Sequence, residues 1–365
     1  MLPGVLRQPW YFPRSFAGAT SKLARLGPRS RLLLGRRVAA CARERARRQL
    51  PRVGNTLDNA WSPRRTFPLH RLCLNSGTSR DFHCTIVRCS AGTSPSMELS
   101  GFWDSPLISQ LLFHPRKAQV EYNGPKVYDG IVDVGEAKLG YRLWKGDNTE
   151  KVIVYFHGNG EVVTDYHLVA PTFHQLGADL MVFDFRGYGW STGTPALSCL
   201  QKDAAGVAEK LPRYMSKYGL DDKKLFLFGR SLGAIPAAHL AVQPTVSEQF
   251  SGVIFESGAF FLKETSVARQ MATMMPGGEQ LYAMVPEATN TFEQLAAIKL
   301  PMLIIHGTAD SIVPYGQAEK AHNQARNSSS KKLVPITGGD HNDLMVTYQQ
   351  QYFSSIGEFL EGATN

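Results

Sequence analysis

The chain has 365 residues and a formal net charge of +9, from 40 Lys and Arg against 31 Asp and Glu. Residues 1–96 carry 18 basic residues and three acids, so the rest of the chain is acidic overall, with 22 basic against 28 acidic residues. A basic leader before an acidic body favours a targeting segment and argues against a nucleic-acid-binding protein.

The leader, residues 1–96, is rich in Arg, Ser, Gly and Pro and shows no apolar periodicity from which a core could form. This composition predicts a disordered or cleaved transit peptide, and the string Val87-Arg88-Cys89 resembles a chloroplast processing site. A plastid is therefore the expected location, with the mitochondrion as the competitor. Translation from Met97 would instead place the protein in the cytoplasm.

Residues 97–365 alternate strand-like and helix-like segments. Residues 106–113 are expected to form a short apolar helix or an entry segment. Helices are expected over 163–176, 196–218, 234–242, 315–326 and 343–360. Strands are expected over 128–134, 137–146, 151–156, 179–185, 224–228, 251–256, 302–306 and 332–336. The pattern predicts one α/β domain with a mostly parallel central sheet flanked by helices. Residues 259–298 lack a strand pattern and predict a small helical cap.

The pentapeptide Gly229-Arg230-Ser231-Leu232-Gly233 follows a predicted strand and precedes a predicted helix. G-x-S-x-G in this setting is typical of a nucleophile elbow, a tight turn that presents the serine hydroxyl above the sheet edge. Ser231 is therefore the candidate nucleophile.

A serine hydroxyl needs a histidine base, and the base needs a carboxylate that fixes its tautomer. Asp310 follows the strand 302–306, and His341 follows the strand 332–336, in the chain order that such elbows use. Asp340 and Asp343 flank His341 and compete with Asp310, but their position favours loop or helix-cap roles.

An oxyanion hole needs backbone N–H groups aimed at the tetrahedral intermediate. Leu232, directly after the candidate nucleophile, should supply one. Asn159, in the loop after the strand 151–156, should supply the other, with Gly160 as its nearest competitor. In the same region, Glu161 is expected to be an acid at a helix amino end.

With these motifs in place, the chain from about residue 111 onward resembles the α/β-hydrolase superfamily. More narrowly, it resembles the compact group of α/β-hydrolase-domain depalmitoylases and serine-aminopeptidase-like hydrolases. The resemblance is carried by the strings LLFHPR (111–116), YFHGNGE (155–161), FDFRGYGWSTG (183–193), LFGRSLGAIP (227–236), LIIHGTADSIVP (303–314) and GGDHNDL (338–344). It implies an α/β-hydrolase fold and the same catalytic roles for Ser231, Asp310 and His341.

The expected reaction is hydrolysis of a small-molecule ester or thioester through an acyl-serine intermediate, with water as co-substrate and no cofactor or metal. The sequence leaves the oligomeric state open, and no apolar run approaches the ~18 residues of a membrane span. Apolar cap residues favour an acyl or lipid-like group; they are Phe260, Phe261, Met271, Met274 and Tyr282.

Two alternatives stay open. One is an aminopeptidase, in which Glu264, Glu279 or Glu287 of the cap would bind a free amine. The other is a binding protein with a hydrolase fold and no catalysis, against which a complete set of Ser, Asp and His candidates argues.

Overall fold

The computed structural model describes residues 103–120, 124–274, 282–283, 287 and 289–363. The leader over 1–96 lies outside these residues. The strands are β1 (Val127–Asp133), β2 (Lys138–Trp144), β3 (Lys151–Phe156), β4 (Ala178–Phe183), β5 (Lys224–Arg230), β6 (Phe250–Glu256), β7 (Met302–Gly307) and β8 (Lys331–Ile336).

The strands form one eight-stranded sheet in the order β1-β2-β4-β3-β5-β6-β7-β8. β1 pairs antiparallel with β2, and β2 pairs antiparallel with β4. All other neighbours are parallel. The predicted mostly parallel sheet is therefore confirmed.

The helices flank this sheet. They are α1 (Pro106–Leu112), α2 (Ala170–Gln175), α3 (Leu197–Tyr218), α4 (Ala234–Val242), α5 (Pro244–Ser247), α6 (Ser266–Met274), α7 (Thr291–Ala297), α8 (Gly316–Gln324), α9 (Leu344–Thr347) and α10 (Gln349–Gly362). Within the described residues of 259–298, only helical segments occur, as expected for the predicted cap. No helix among the described residues is both long enough and apolar enough to cross a bilayer.

Two predicted helices are interrupted. The one over 163–176 consists of a 3-10 helix, Val163–Tyr166, followed by α2. Pro171 lies in the first turn of α2, where its missing N–H costs no helical hydrogen bond, so it favours a new helix start. The helix over 343–360 is divided at Tyr348, whose backbone leaves the helical region (φ −114°, ψ 30°).

Strand residues alternate between two apolar cores, one on each face of the sheet. Val152, Val154 and Phe156 of β3 pack with the residues of α3 and α4. Ile153 and Tyr155 pack on the opposite face with α2 and α10. This period of two is the ordinary geometry of a strand buried on both faces.

The parallel strands place four loops at one edge of the sheet. β3 and β5 are neighbours, β7 and β8 are neighbours, and β6 lies between the two pairs. The loops that follow β3, β5, β7 and β8 carry the predicted site residues. Loops at the carboxyl ends of strands are where open α/β sheets form their sites.

Candidate active site

The turn after β5 holds Ser231 in a strained conformation. Its φ is 51°, a left-handed value that L-residues rarely adopt. Gly229 and Gly233 make this turn possible, because a Cβ at either position would overlap the backbone. At Gly233 it would meet the carbonyl oxygen of Phe156, and that of His157 at 2.9 Å. The turn therefore packs directly against the end of β3.

The loops after β5, β7 and β8 bring Ser231, Asp310 and His341 together. His341 Nε2 lies 2.9 Å from Ser231 Oγ, and His341 Nδ1 lies 2.7 Å from Asp310 Oδ2. With a carboxylate at 310, Nδ1–H donates to Asp310 and Nε2 is left to accept the serine proton. Ser231 is only 8% exposed, so its hydroxyl is less accessible to solvent than expected for a serine presented above the edge of the sheet.

Asp310 is held as a carboxylate by several donors. Its Oδ1 accepts the N–H groups of Ile312 at 2.9 Å and Val313 at 2.7 Å. Burial raises the pKa of Asp310, but hydrogen bonds with His306 and His341 lower it more, so the net pKa lies below the ordinary value. The group is ionised at neutral pH and can stabilise an imidazolium.

His306 has a role that the sequence did not reveal. The structure puts His306 Nε2 at 3.2 Å from Asp310 Oδ2 and 2.9 Å from the carbonyl oxygen of Val313. The only sequence signal is its position at the end of β7, four residues before Asp310. His306 thus contacts the same carboxylate oxygen as His341 and helps to orient it.

Asp340 and Asp343 contact backbone and hydroxyl groups of the loops. Asp340 Oδ1 accepts the N–H groups of Ser311 at 2.7 Å and of His341 at 2.8 Å. Asp343 Oδ1 accepts the N–H of Asp340 at 2.8 Å. Within the described residues neither carboxylate contacts the His341 ring, so the preference for Asp310 agrees with the geometry.

The loop after β3 is fixed by the side chain of Asn159. Its Nδ2 donates to the carbonyl of Leu112 at 2.6 Å, and its Oδ1 accepts the hydroxyl of Tyr188 at 2.6 Å and the N–H of His114 at 3.0 Å. Among the described residues, the backbone N–H groups of Asn159 and Leu232 donate to no protein group. Both are thus available for a substrate oxygen.

Glu161 is not simply an acid at a helix amino end. It is paired with Arg230, the residue before Ser231, and also accepts the N–H of Gly158 at 2.8 Å. Burial is the largest single effect and raises its pKa. The charge of Arg230, the hydrogen bonds from Tyr166 and Gly158 and the charge of His157 together outweigh it, so the net pKa is below the ordinary value. Sequence reasoning missed this pair because the partners are far apart in the chain.

The cap residues differ in what they can offer a substrate. Phe260 is fully buried and packs edge-on against Phe255 in the core. Phe261 lies beside Phe292, which is 42% exposed. The Tyr282 hydroxyl donates to the carbonyl of Lys263 at 2.7 Å. The side chains of Met271 and Met274 lie outside the described residues.

The acids proposed for amine binding are in part already paired. Glu264 accepts a hydrogen bond from Lys320 at 2.6 Å, and Glu287 accepts one from the N–H of Lys263 at 3.4 Å. Glu279 lies outside the described residues. In the described ranges, no group of three or more His, Cys, Asp or Glu side chains is placed to hold a metal ion.

Comparison with known proteins supports a hydrolase fold. A family model described as serine aminopeptidase, S33, matches residues 147–281, which include Ser231 but neither Asp310 nor His341. The α/β hydrolase domain-containing protein aho-3 of Caenorhabditis elegans is 26% identical over 218 residues. That match covers 59% of this chain and 58% of the relative, which is less than two thirds of its length.

Two solved structures show the same architecture. The Pyrococcus furiosus esterase Pf2001 superposes with a TM-score of 0.55 at 20% identity, covering 68% of this chain and 98% of the esterase. A soluble variant of monoglyceride lipase from Saccharomyces cerevisiae gives 0.52 at 17% identity, covering 67% of this chain and 98% of the lipase. The chain therefore has the α/β-hydrolase fold of these structures, and residues 147–281 are similar to the serine aminopeptidase family model.

Proposed function

We propose that this protein is a serine hydrolase that cleaves a carboxylic ester or thioester through an acyl-serine intermediate. The observation that carries the proposal is the position of His341, which bridges Ser231 Oγ at 2.9 Å and Asp310 Oδ2 at 2.7 Å. A neutral imidazole in this place has an acceptor nitrogen facing the nucleophile and a donor nitrogen facing a carboxylate. This is the arrangement that activates a serine hydroxyl.

In the first half-reaction, His341 Nε2 takes the hydroxyl proton while Ser231 Oγ attacks the substrate carbonyl carbon. Asp310 stays ionised and stabilises the imidazolium that forms. The N–H groups of Asn159 and Leu232 donate to the oxyanion of the tetrahedral intermediate. When the intermediate collapses, His341 gives its proton to the leaving alcohol or thiol, and the acyl group remains on Ser231.

Water completes the cycle by the same route. His341 takes a proton from water as the water oxygen attacks the acyl carbonyl, and returns it to Ser231 Oγ when the carboxylic acid leaves. Every proton transfer in this scheme is served by His341, so the reaction requires no cofactor.

The cap favours an uncharged acyl group over an amino-terminal peptide. Of the described residues there, Phe261 and Phe292 are apolar neighbours, and Phe292 retains exposed surface. An aminopeptidase would need an acid placed for an ammonium group, and Glu264 is instead paired with Lys320. The description of the matching family model is the one observation that favours the peptidase.

A substrate panel separates these functions. Purified protein is assayed with p-nitrophenyl esters of graded acyl length, the matching thioesters, and aminoacyl p-nitroanilides, each beside Ser231→Ala. The proposal expects kcat/KM for the best ester or thioester to lie well above that for every anilide. Anilide turnover that equals ester turnover would favour the peptidase. Failure of Ser231 to react with a fluorophosphonate, together with no turnover, would indicate a binding protein.

A further inference from the structure

A buried guanidinium lies directly behind the nucleophile. Arg230 is 7% exposed, and its Nη2 donates to the carbonyl oxygen of His341 and to Asn342 Oδ1, both at 2.9 Å. Its Nε donates to Glu256 Oε1 at 3.1 Å, and its Nη1 donates to Glu161. One side chain thus joins the nucleophile turn to the loop that carries the base.

The same cluster reaches the loop that precedes Asn159. Glu161 Oε2 accepts the N–H of Gly158 at 2.8 Å and the hydroxyl of Tyr166 at 2.7 Å. Gly158 also packs against the guanidinium, because a Cβ there would lie 2.6 Å from Arg230 Nη1 and 3.1 Å from Glu161 Oε2. Gly158, the residue directly before the Asn159 amide nitrogen, is therefore tied to Arg230 through Glu161.

We propose that Arg230 and Glu161 form a positioning clamp that sets the base and the oxyanion donor relative to Ser231. This inference rests on the serine-hydrolase function proposed above and deepens it. Arg230 does not touch the substrate. It positions His341 by donating a hydrogen bond to the His341 carbonyl oxygen. It positions the Asn159 loop indirectly, because it binds Glu161, which accepts the N–H of Gly158.

The chemistry of the guanidinium explains why this position needs arginine. Its planar group presents five N–H donors in fixed directions, and here they serve Glu161, Glu256, the His341 carbonyl and Asn342 at once. A lysine ammonium has three donors on a flexible stem and cannot reach four acceptors spread around a plane. A lysine at position 230 would keep the positive charge but lose some of these hydrogen bonds, and with them part of the alignment of the His341 and Asn159 loops.

The charges of the cluster are matched to this role. Arg230 and the low-pKa Glu161 form the ion pair, whereas burial raises the pKa of Glu256 above its ordinary value despite the nearby Arg230 charge. The Tyr352 hydroxyl donates to Glu256 Oε2 at 2.8 Å. Buried ion pairs of this kind contribute little net stability, because desolvation offsets the attraction, so alignment is the function that the cluster can serve best.

A second buried arginine provides a matched control. Arg142 of β2 is 1% exposed and pairs with Asp129 of β1 through Nε at 2.5 Å and Nη2 at 2.7 Å. It contacts neither the nucleophile turn nor the loops of Asn159, Asp310 or His341 among the described residues. Arg142→Met therefore removes a buried ion pair without touching the proposed clamp.

The test compares Arg230→Met, Arg230→Lys and Arg142→Met with the full-length wild-type protein and with Ser231→Ala. Folding is checked by circular dichroism and thermal melting, and kcat and KM are measured on the best p-nitrophenyl ester. The dissociation constant for phenylboronic acid reports the affinity for a tetrahedral adduct. Misplacing reacting groups by about 1 Å costs roughly 100-fold in rate.

We expect both Met variants to melt at lower temperature, but only Arg230→Met to lose about 10- to 100-fold in kcat with little change in KM. Its affinity for phenylboronic acid should fall in parallel, and Arg230→Lys should recover part of both. If folded Arg230→Met keeps a kcat equal to that of Arg142→Met, the clamp is refuted.

If Arg230→Met does not fold, the kcat and phenylboronic acid affinity of Arg230→Lys are compared with those of Arg142→Met instead. If neither folds, the guanidinium is required for stability and the positioning role is rejected. Failure of the proposed function has a different signature, since either the wild-type protein would then show no ester turnover or Ser231→Ala would retain it.

Discussion

Replacing Asp310 by asparagine separates the role of its charge from the role of its shape. In Asp310→Asn, the amide oxygen can continue to accept the N–H groups of Ile312 and Val313, so the turn should persist. The other branch becomes an amide NH₂ that faces His341 Nδ1 across the distance of 2.7 Å seen in the wild type. An amide donor there forces Nδ1 to accept, which moves the ring proton to Nε2.

The consequence for the rate follows from this tautomer. Nε2, 2.9 Å from Ser231 Oγ, would then carry a proton and could not take another one. In serine proteases with a Ser-His-Asp triad, the corresponding change lowers kcat by about 10⁴. This factor corresponds to about 5.5 kcal/mol of lost transition-state stabilisation.

The matched control is Asp340→Asn. Its amide oxygen can still accept from the N–H groups of Ser311 and His341, and the side chain has no contact with the imidazole. Initial rates on the best p-nitrophenyl ester, with circular dichroism of each variant, decide between the two acids. A severe loss in Asp340→Asn beside a mild one in Asp310→Asn would show that the orienting acid is misassigned.

The remaining predictions concern the elbow, acid stability and the leader. Gly233→Ala should melt lower and lose most activity, because its Cβ would overlap the carbonyl of Phe156, whereas Gly316→Ala, with nothing within 4 Å, should match wild type in both measurements. Since the folded pKa of Asp310 is depressed, its contribution to stability is present above pH ~4 and is lost as pH falls through the folded pKa. The difference in melting temperature between wild type and Asp310→Asn should therefore shrink from pH 7 to pH 3, and a constant difference would contradict the assigned shift. Deletion of residues 1–96 should leave solubility and esterase activity intact, and insoluble or inactive protein would show that the leader is needed. The leader fused to a fluorescent protein should enter plastids; mitochondrial signal would select the competing location, and diffuse cytosolic signal would favour translation from Met97.

The sheet was predictable because its strands are strongly patterned. β3 and β4 are short apolar runs, and all six residues of β4 are buried, so their strand type followed from the length and composition of the runs. The order of the strands within the sheet was not predicted. The division of the helix after β3 was not predicted. The 3-10 segment and the start of α2 depend on Pro171 and on contacts with the sheet. Local propensity does not encode such contacts.

The candidate site was partly predictable. Chain order and strand context placed Ser231, Asp310 and His341 in loops that the structure brings within hydrogen-bonding distance. Their catalytic roles, and those of the Asn159 and Leu232 amides, stay predictions. Arg230 and Glu161 could not be paired from sequence, because 69 residues separate them and neither burial nor the shared acceptors are visible in the local pattern.

The central claim is that Ser231 is the nucleophile that carries the acyl group. The most direct measurement is intact-protein mass spectrometry after reaction with a fluorophosphonate, with peptide mapping, beside steady-state kinetics of Ser231→Ala. The account predicts one adduct on Ser231, no adduct in the variant, and a kcat lower by about 10⁶. An unlabelled Ser231, or a folded Ser231→Ala with activity close to wild type, would contradict it.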